Sequence, residues 1–218
     1  MIISHRHRFI FVKTRKTAGT SIEHFLSAHL GPQDVIMGAV ERNHLGRWNP
    51  AAELVGHPDP SNVKLTLKQW QRRVRYYQHM PAWRIRARAG RAVWDDYFTF
   101  CFERDPWDKL ESFYWWRTRD DPARPDFESW VRTAPGLSAW PLYTIGDRVA
   151  VDFVGRYESL EADLASVLDR IGLDATVVLP QEKSGFHERE EVGFSPQLDQ
   201  WINQRFGREM ALLGYPAH

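Results

Sequence analysis

Lys16, Thr17, Ala18, Gly19, Thr20 and Ser21 are the first residues in the chain whose types and spacing suit them to chemistry. A lysine, a glycine and a run of hydroxyls at the start of a helix suit the capture of an anion. Just upstream, Phe9, Ile10, Phe11 and Val12 form a short continuous apolar run, expected of a strand buried on both faces. Residues 13–19 then read as a basic loop ending in glycine. Thr20 opens an amphipathic run with Ile22, Phe25, Leu26 and Leu30 on one face. Thr20 and Glu23 have capping-box spacing, and Gly31-Pro32 closes the expected helix. In such a strand–loop–helix unit, free N–H groups and the positive end of the helix dipole face whatever the loop holds. Lys16 adds a full charge there. The ATP-binding pattern G-x-x-x-x-G-K-[ST] is not matched, because Lys16 precedes Gly19 by three residues and an early glycine is missing.

A second unit of the same kind follows. Residues 97–102, Tyr-Phe-Thr-Phe-Cys-Phe, read as a buried strand running into Glu103, Arg104, Asp105 and Pro106. Asp105 is a good N-cap and Pro106 a good first helical residue. The helix continues through Leu110, Phe113, Tyr114 and Arg117. Ligands of open parallel sheets bind beyond the carboxyl ends of the strands, so Arg104 and Lys16 are expected on one edge. Ser112, about two turns into the helix, could face the same ligand. The plain alternatives are a salt bridge from Arg104 to Asp105 or Glu103, and an ordinary surface serine.

The rest of the chain must position these corners. Residues 149–154 read as a third strand. It leads through Gly155, Arg156 and Tyr157 into a helix over 158–171, striped by Leu160, Leu164, Val167, Leu168 and Ile171. Residues 33–60 are irregular, with a short strand near 34–37 and loop histidines at His44 and His57. A helix is expected over 66–77, capped by Thr66 and Gln69. The break at Met80-Pro81 puts His79 just before a helix over 81–89. Arg84, Arg86, Arg88 and Arg91 read mainly as solvated charges. Residues 179–191 form a loop, and Ser195-Pro196 starts a final helix. Repeated βα units predict one α/β domain over 1–218 with a mainly parallel central sheet flanked by helices. An irregular helical lobe at about 117–148 packs Phe127, Trp130, Val131 and Trp140 inward.

Composition narrows the function. With 218 residues and 43% hydrophobic content, the chain can bury a sizeable core. Its 29 basic and 28 acidic residues nearly cancel, which argues against a nucleic-acid or membrane-surface binder. A single cysteine, Cys101, rules out an internal disulfide and a Cys-rich zinc site. With no leader pattern and no run of spanning length, the expectation is a cytoplasmic protein without a membrane span.

Lys16-Thr17-Ala18-Gly19-Thr20-Ser21 resembles the phosphosulfate loop of sulfotransferases that use 3′-phosphoadenosine 5′-phosphosulfate. The stretch 98–114, with Arg104, Asp105, Pro106, Trp107, Asp108, Lys109 and Ser112, resembles their second signature. Residues 153–160 resemble a third landmark. Leu179-Pro180, Lys183-Ser184 and the ending Leu213-Gly214-Tyr215 are similar to the carbohydrate-type and bacterial branch. Two departures are Asp105 and Lys109, where the family usually has Asn and Arg. Arg15 stands where proline is frequent.

The resemblance implies a P-loop-like sulfotransferase fold and the phosphosulfate nucleotide as sulfate donor, with no metal. It implies donor binding by Arg15, Lys16, Thr17, Ala18, Gly19, Thr20 and Ser21. Arg104 and Ser112 would hold the 3′-phosphate, Tyr157 would contact the adenine, and Ser184 with Arg189 would close over the 3′-phosphate. His79 matches the position of the general base, with Lys16 as the catalytic cation. The acceptor would be a small-molecule, glycan or lipid hydroxyl, or an amine. A P-loop-type nucleotide kinase and a non-catalytic nucleotide-binding module are the rival readings.

Overall fold

The computed structural model describes residues 1–37, 76–179 and 192–218. In chain order, β1 (Ile2–Ser4), β2 (Phe9–Phe11), α1 (Gly19–Ser27) and β3 (Val35–Ile36) come first. Next are α2 (Ala82–Ala89), α3 (Arg91–Asp96), β4 (Phe98–Glu103) and α4 (Pro106–Thr118). Then follow α5 (Phe127–Thr133), α6 (Trp140–Tyr143), the ribbon strands β5 (Thr144–Ile145) and β6 (Arg148–Val149), and β7 (Phe153–Arg156). The chain ends with α7 (Leu160–Arg170) and α8 (Pro196–Leu213).

The central sheet has the order β3-β1-β2-β4-β7. β2 pairs parallel with β4, and β4 parallel with β7, while β1 runs antiparallel to both β2 and β3. Four strands therefore share one direction, and the sheet is mainly parallel as expected. Alternate side chains go to opposite faces. Phe9, Phe11, Phe100 and Phe102 pack with Ile22 and Leu26 of α1 and Leu164, Val167 and Leu168 of α7. Ile10, Val12 and Cys101 face the other way, onto Met80, Ile85, Trp94 and Tyr143. Phe100 sits centrally, with ring centroids of Phe11 at 5.2 Å and Phe9 at 5.8 Å. A third apolar cluster joins α4, α5 and α8 through Leu110, Phe113, Trp130, Ile202 and Phe206.

Several expected boundaries move, each for a physical reason. β1 was not foreseen; three residues are too few for a pattern, and only its two partners make it a strand. The strand expected over 149–154 is instead Phe153–Arg156. The Asp152 carboxylate accepts from the Thr99 amide and hydroxyl at 2.8 Å, and the Asp152 amide donates back to Thr99. That clamp turns the chain into the sheet late, and Arg148–Val149 joins the separate ribbon. The helix expected from 158 opens as a single 3₁₀ turn, with Asp163 accepting from the Arg156 amide at 2.6 Å.

α1 begins at Gly19 without a side-chain cap and ends at Ser27, so the Thr20–Glu23 capping box and the Gly31 stop do not form. Glu23 is buried and engaged by the Lys13 ammonium, so it cannot reach back to the helix start. Asp105 does cap α4, accepting from the Trp107 and Asp108 amides, with Pro106 first in the helix. Ser195 caps α8 in the same way. Pro81 is the cap of α2 rather than its first residue. The helix expected over 66–77, His44 and His57 lie largely or wholly outside the described residues.

Candidate functional site

The carboxyl ends of β2, β4 and β7 lie side by side, and each feeds a loop onto the same edge. Pairing between β2 and β4 runs on to the Val12 amide, which donates to the Phe100 carbonyl at 2.8 Å. Beyond it the loop 13–18 folds on its own hydroxyls. Thr14 donates to the Phe102 carbonyl, and so the Thr17 hydroxyl donates to Thr14 Oγ1 at 2.9 Å. Lys16 and Ala18 have φ of 63° and 54°, a left-handed conformation unfavourable for residues with a Cβ. The strained loop wraps a cleft of about 990 Å³ at the start of α1.

Lys13 is not a surface lysine. Its stem lies across Gly19, where an added Cβ would stand 2.8 Å from Lys13 Cγ. Its ammonium is bound by Glu23, which also takes the Met1 nitrogen at 2.5 Å. Gly19 is thus required by a close approach rather than by its backbone angle. Lys16 takes the other course and extends its ammonium to 5.5 Å from the centre of the Trp116 ring.

Arg104 leaves β4 toward the same space. Its guanidinium lies 4.2 Å from the Tyr157 ring centre and donates a long hydrogen bond of 3.5 Å to the Lys16 carbonyl. Asp108 Oδ2, at 3.9 Å, is its carboxylate neighbour, in place of Asp105 or Glu103. Glu103 is instead committed to Lys109 at 2.5 Å, both fully buried. Arg104 Nε is buried without a hydrogen-bond partner among the described residues. Such an orphan donor beside an open cleft is a fitting feature for an anion ligand.

Ser112 is buried at the cleft wall rather than on the helix surface. Phe113, Trp116 and Arg117 share that wall with it. Sequence reasoning missed Trp116 and Arg117 as cleft residues. Helical spacing was the available signal: Trp116 lies four residues after Ser112, and Arg117 four after Phe113. Lys109 was read as a substituted family position; it is buried against Glu103 rather than lining the cleft.

His79 also lines the cleft, in the left-handed region at φ 53°. Its Nδ1 is 3.1 Å from the Lys13 carbonyl oxygen. A carbonyl only accepts, so Nδ1 carries the proton and Nε2 is the basic nitrogen. Burial pushes the imidazole down to about 3, helped by the charges of Arg15 and Lys13 and opposed by the bond to the Lys13 carbonyl. Arg15 donates to the Gly136 carbonyl at 3.2 Å, tying the loop to the segment between α5 and α6, and burial lowers its pKa.

The cleft thus gathers Arg15, Lys16, Thr17, Ala18, Gly19, Thr20, Ser21, His79, Arg104, Ser112 and Tyr157. The Thr17 side chain faces the loop interior, where it is fully buried. Ser184 and Arg189 fall outside the described residues.

Two basic βα corners of an α/β protein close on one cleft. The chain belongs to the sulfotransferase family, whose sequence model matches residues 1–216. An uncharacterised protein of Archaeoglobus fulgidus is 44% identical over 100 residues, covering 43% of this chain and 83% of that protein. No solved structure matches the chain. Among the described residues, no helix is long and apolar enough to cross a membrane.

Proposed function

We propose that this protein transfers a sulfuryl group from 3′-phosphoadenosine 5′-phosphosulfate to an acceptor hydroxyl or amine, on a P-loop-like fold. The observation that carries the reading is the meeting of Lys16 and Arg104 in one cleft. A donor with an anionic group at each end needs two such corners. The orphan Arg104 Nε and the strained loop at the α1 start fit that ligand. Arg104 and Ser112 hold the 3′-phosphate and set the orientation. Tyr157 contacts the adenine, and the family resemblance assigns Ser184 and Arg189 to the 3′-phosphate. Lys16 and the amides of Gly19, Thr20 and Ser21 stabilise the charge that grows on the leaving phosphate oxygen. Arg15, Thr17 and Ala18 complete the loop.

His79 takes the acceptor proton on Nε2. The acceptor oxygen or nitrogen bonds to sulfur as the bond from sulfur to the phosphate oxygen breaks, in line. Adenosine 3′,5′-bisphosphate is the other product. The tautomer imposed by the Lys13 carbonyl supports this assignment. The acceptor is a small molecule, a glycan or a lipid, and the protein is cytoplasmic.

The kinase reading is less well supported. It needs the Thr17 hydroxyl to reach Mg²⁺, yet that hydroxyl is buried against Thr14. A thermal-shift comparison tests the choice. Adenosine 3′,5′-bisphosphate should stabilise the protein more than ATP with Mg²⁺ does. The reverse order would favour phosphoryl transfer.

A further inference from the structure

We infer that Trp116 is the positioning residue for Lys16: its indole holds the ammonium in the cleft, beside the donor's 5′-phosphate, without adding a negative charge there. The inference rests on the reading of Lys16 as the cation on the leaving phosphate.

A lysine carries its charge on a flexible stem, so a charge that must act at one point needs something to hold it. The structure grips Lys16 at both ends from a single unit. Arg104, at the exit of β4, donates to the Lys16 carbonyl at 3.5 Å. Trp116, on α4, has its ring centre 5.5 Å from the Lys16 ammonium. Asp105 caps α4 directly after Arg104, so the two grips belong to one strand–helix corner. Ser112 and Trp116 are four residues apart on that helix, share a face, and both line the cleft. The grip on Lys16 and the proposed 3′-phosphate grip are therefore set by the same helix.

The two loop lysines show what a ring can do that a carboxylate cannot. Glu23 holds Lys13 and cancels its charge, and Lys13 is buried. A carboxylate in an anion site also repels the ligand. A tryptophan face attracts a cation through its quadrupole and carries no net charge. The Trp116 ring seats a second cation as well, with the Arg119 guanidinium 5.5 Å from its centre, and Arg119 is paired with Asp120 at 2.9 Å. Phe113 packs against the indole with ring centroids 5.9 Å apart, which steadies it in the cleft wall.

The test compares adenosine 3′,5′-bisphosphate with adenosine 3′-monophosphate, which lacks the 5′-phosphate, by calorimetry. The ratio of the two dissociation constants isolates what the 5′-phosphate adds, and Lys16 acts on that group. In Trp116→Leu the ratio should fall roughly 3- to 30-fold, the worth of one cation–ring contact. Monophosphate binding should hardly change, and Trp116→Phe should keep most of the ratio. By ¹H–¹³C NMR, the Lys16 ε-methylene, assigned by its loss in Lys16→Arg, should shift in Trp116→Leu as the ring current disappears. Should Trp116→Leu fail to fold, Trp116→Met gives the same comparison. Equal weakening of both nucleotides would make Trp116 a support of α4 only and overturns the inference alone. An unchanged ratio, an unmoved ε-methylene or a Trp116→Phe as impaired as Trp116→Leu does the same. A bisphosphate that does not bind the unmodified protein removes the donor reading and this inference with it.

Discussion

A guanidinium nitrogen of Arg104 lies 3.5 Å from the carbonyl oxygen of Lys16. These residues are 88 positions apart and leave different strands. Their contact makes two βα corners into one site, because β2 and β4 are parallel neighbours whose carboxyl ends share an edge. Truncating either corner should separate binding from chemistry. Arg104→Ala should weaken adenosine 3′,5′-bisphosphate about 10²-fold by calorimetry, the usual order for losing one partner of a buried charge pair. Lys16→Ala should lower kcat by roughly 10²- to 10³-fold, since its contribution grows as charge develops on the leaving group. Unchanged affinity in Arg104→Ala would remove the 3′-phosphate assignment.

His79→Ala should abolish transfer and leave bisphosphate affinity nearly unchanged. The assay is turnover with an accepted substrate beside a binding isotherm. Retained turnover takes His79 out of the mechanism.

His79 also ties stability to pH. Its folded-state pKa lies near 3, below the ordinary histidine value of about 6.5. Between those values the unfolded chain binds a proton that the folded chain refuses. Stability contributed by the neutral ring is therefore full above about pH 6.5 and is lost as pH falls toward 3. Urea midpoints at several pH values should drop more gently on acidification in His79→Gln than in the unmodified protein. Parallel curves would show that the ring titrates normally.

The Lys13–Glu23 pair is buried and supports the loop from below. Glu23→Leu alone should destabilise by about 3–5 kcal/mol, because the Lys13 charge is left buried without its carboxylate. Adding Lys13→Met should recover much of that loss. Chemical denaturation of both variants measures it. A double variant no better than the single would mean that the pair's geometry itself is required.

Among the described residues, two glycines stand where a Cβ would meet a neighbour closer than 3.0 Å. A Cβ at Gly155 would stand 2.5 Å from the Phe102 ring, and one at Gly19 would stand 2.8 Å from Lys13 Cγ. Gly155→Ala should cost about 1–3 kcal/mol through a forced shift of the sheet-face ring. Gly19→Ala should cost a similar amount and also weaken bisphosphate binding, since the displaced Lys13 stem carries the loop. Equal affinity in Gly19→Ala and Gly155→Ala would deny that link.

The two strands, the Asp105 cap, the α8 cap and the meeting of Lys16 with Arg104 were all legible in the residues. Each depends on local pattern: an apolar run, a capping side chain, a basic residue at a strand exit. The Thr20–Glu23 box was equally legible and did not form. Its glutamate is drawn off by Lys13, a contact made across the loop rather than within the helix. β1 and the late start of β7 escaped for a similar reason. Short strands owe their existence to partners, and Asp152 clamps Thr99 from 53 residues away.

From residue order alone came the layout of the edge: two basic turns after buried strands, each opening a helix. That follows because strand, turn and helix signals are local and their offsets are preserved on folding. Packing alone settled which cations meet the cleft and which serve the core. Lys13 and Lys16 are equal in sequence terms. Yet one is buried beside Gly19 against Glu23, while the other extends over Trp116. The tautomer of His79 was likewise invisible until folding brought the Lys13 carbonyl to its ring, 66 residues away. A side chain's charge is written in its identity, but its surroundings arise only when distant segments pack.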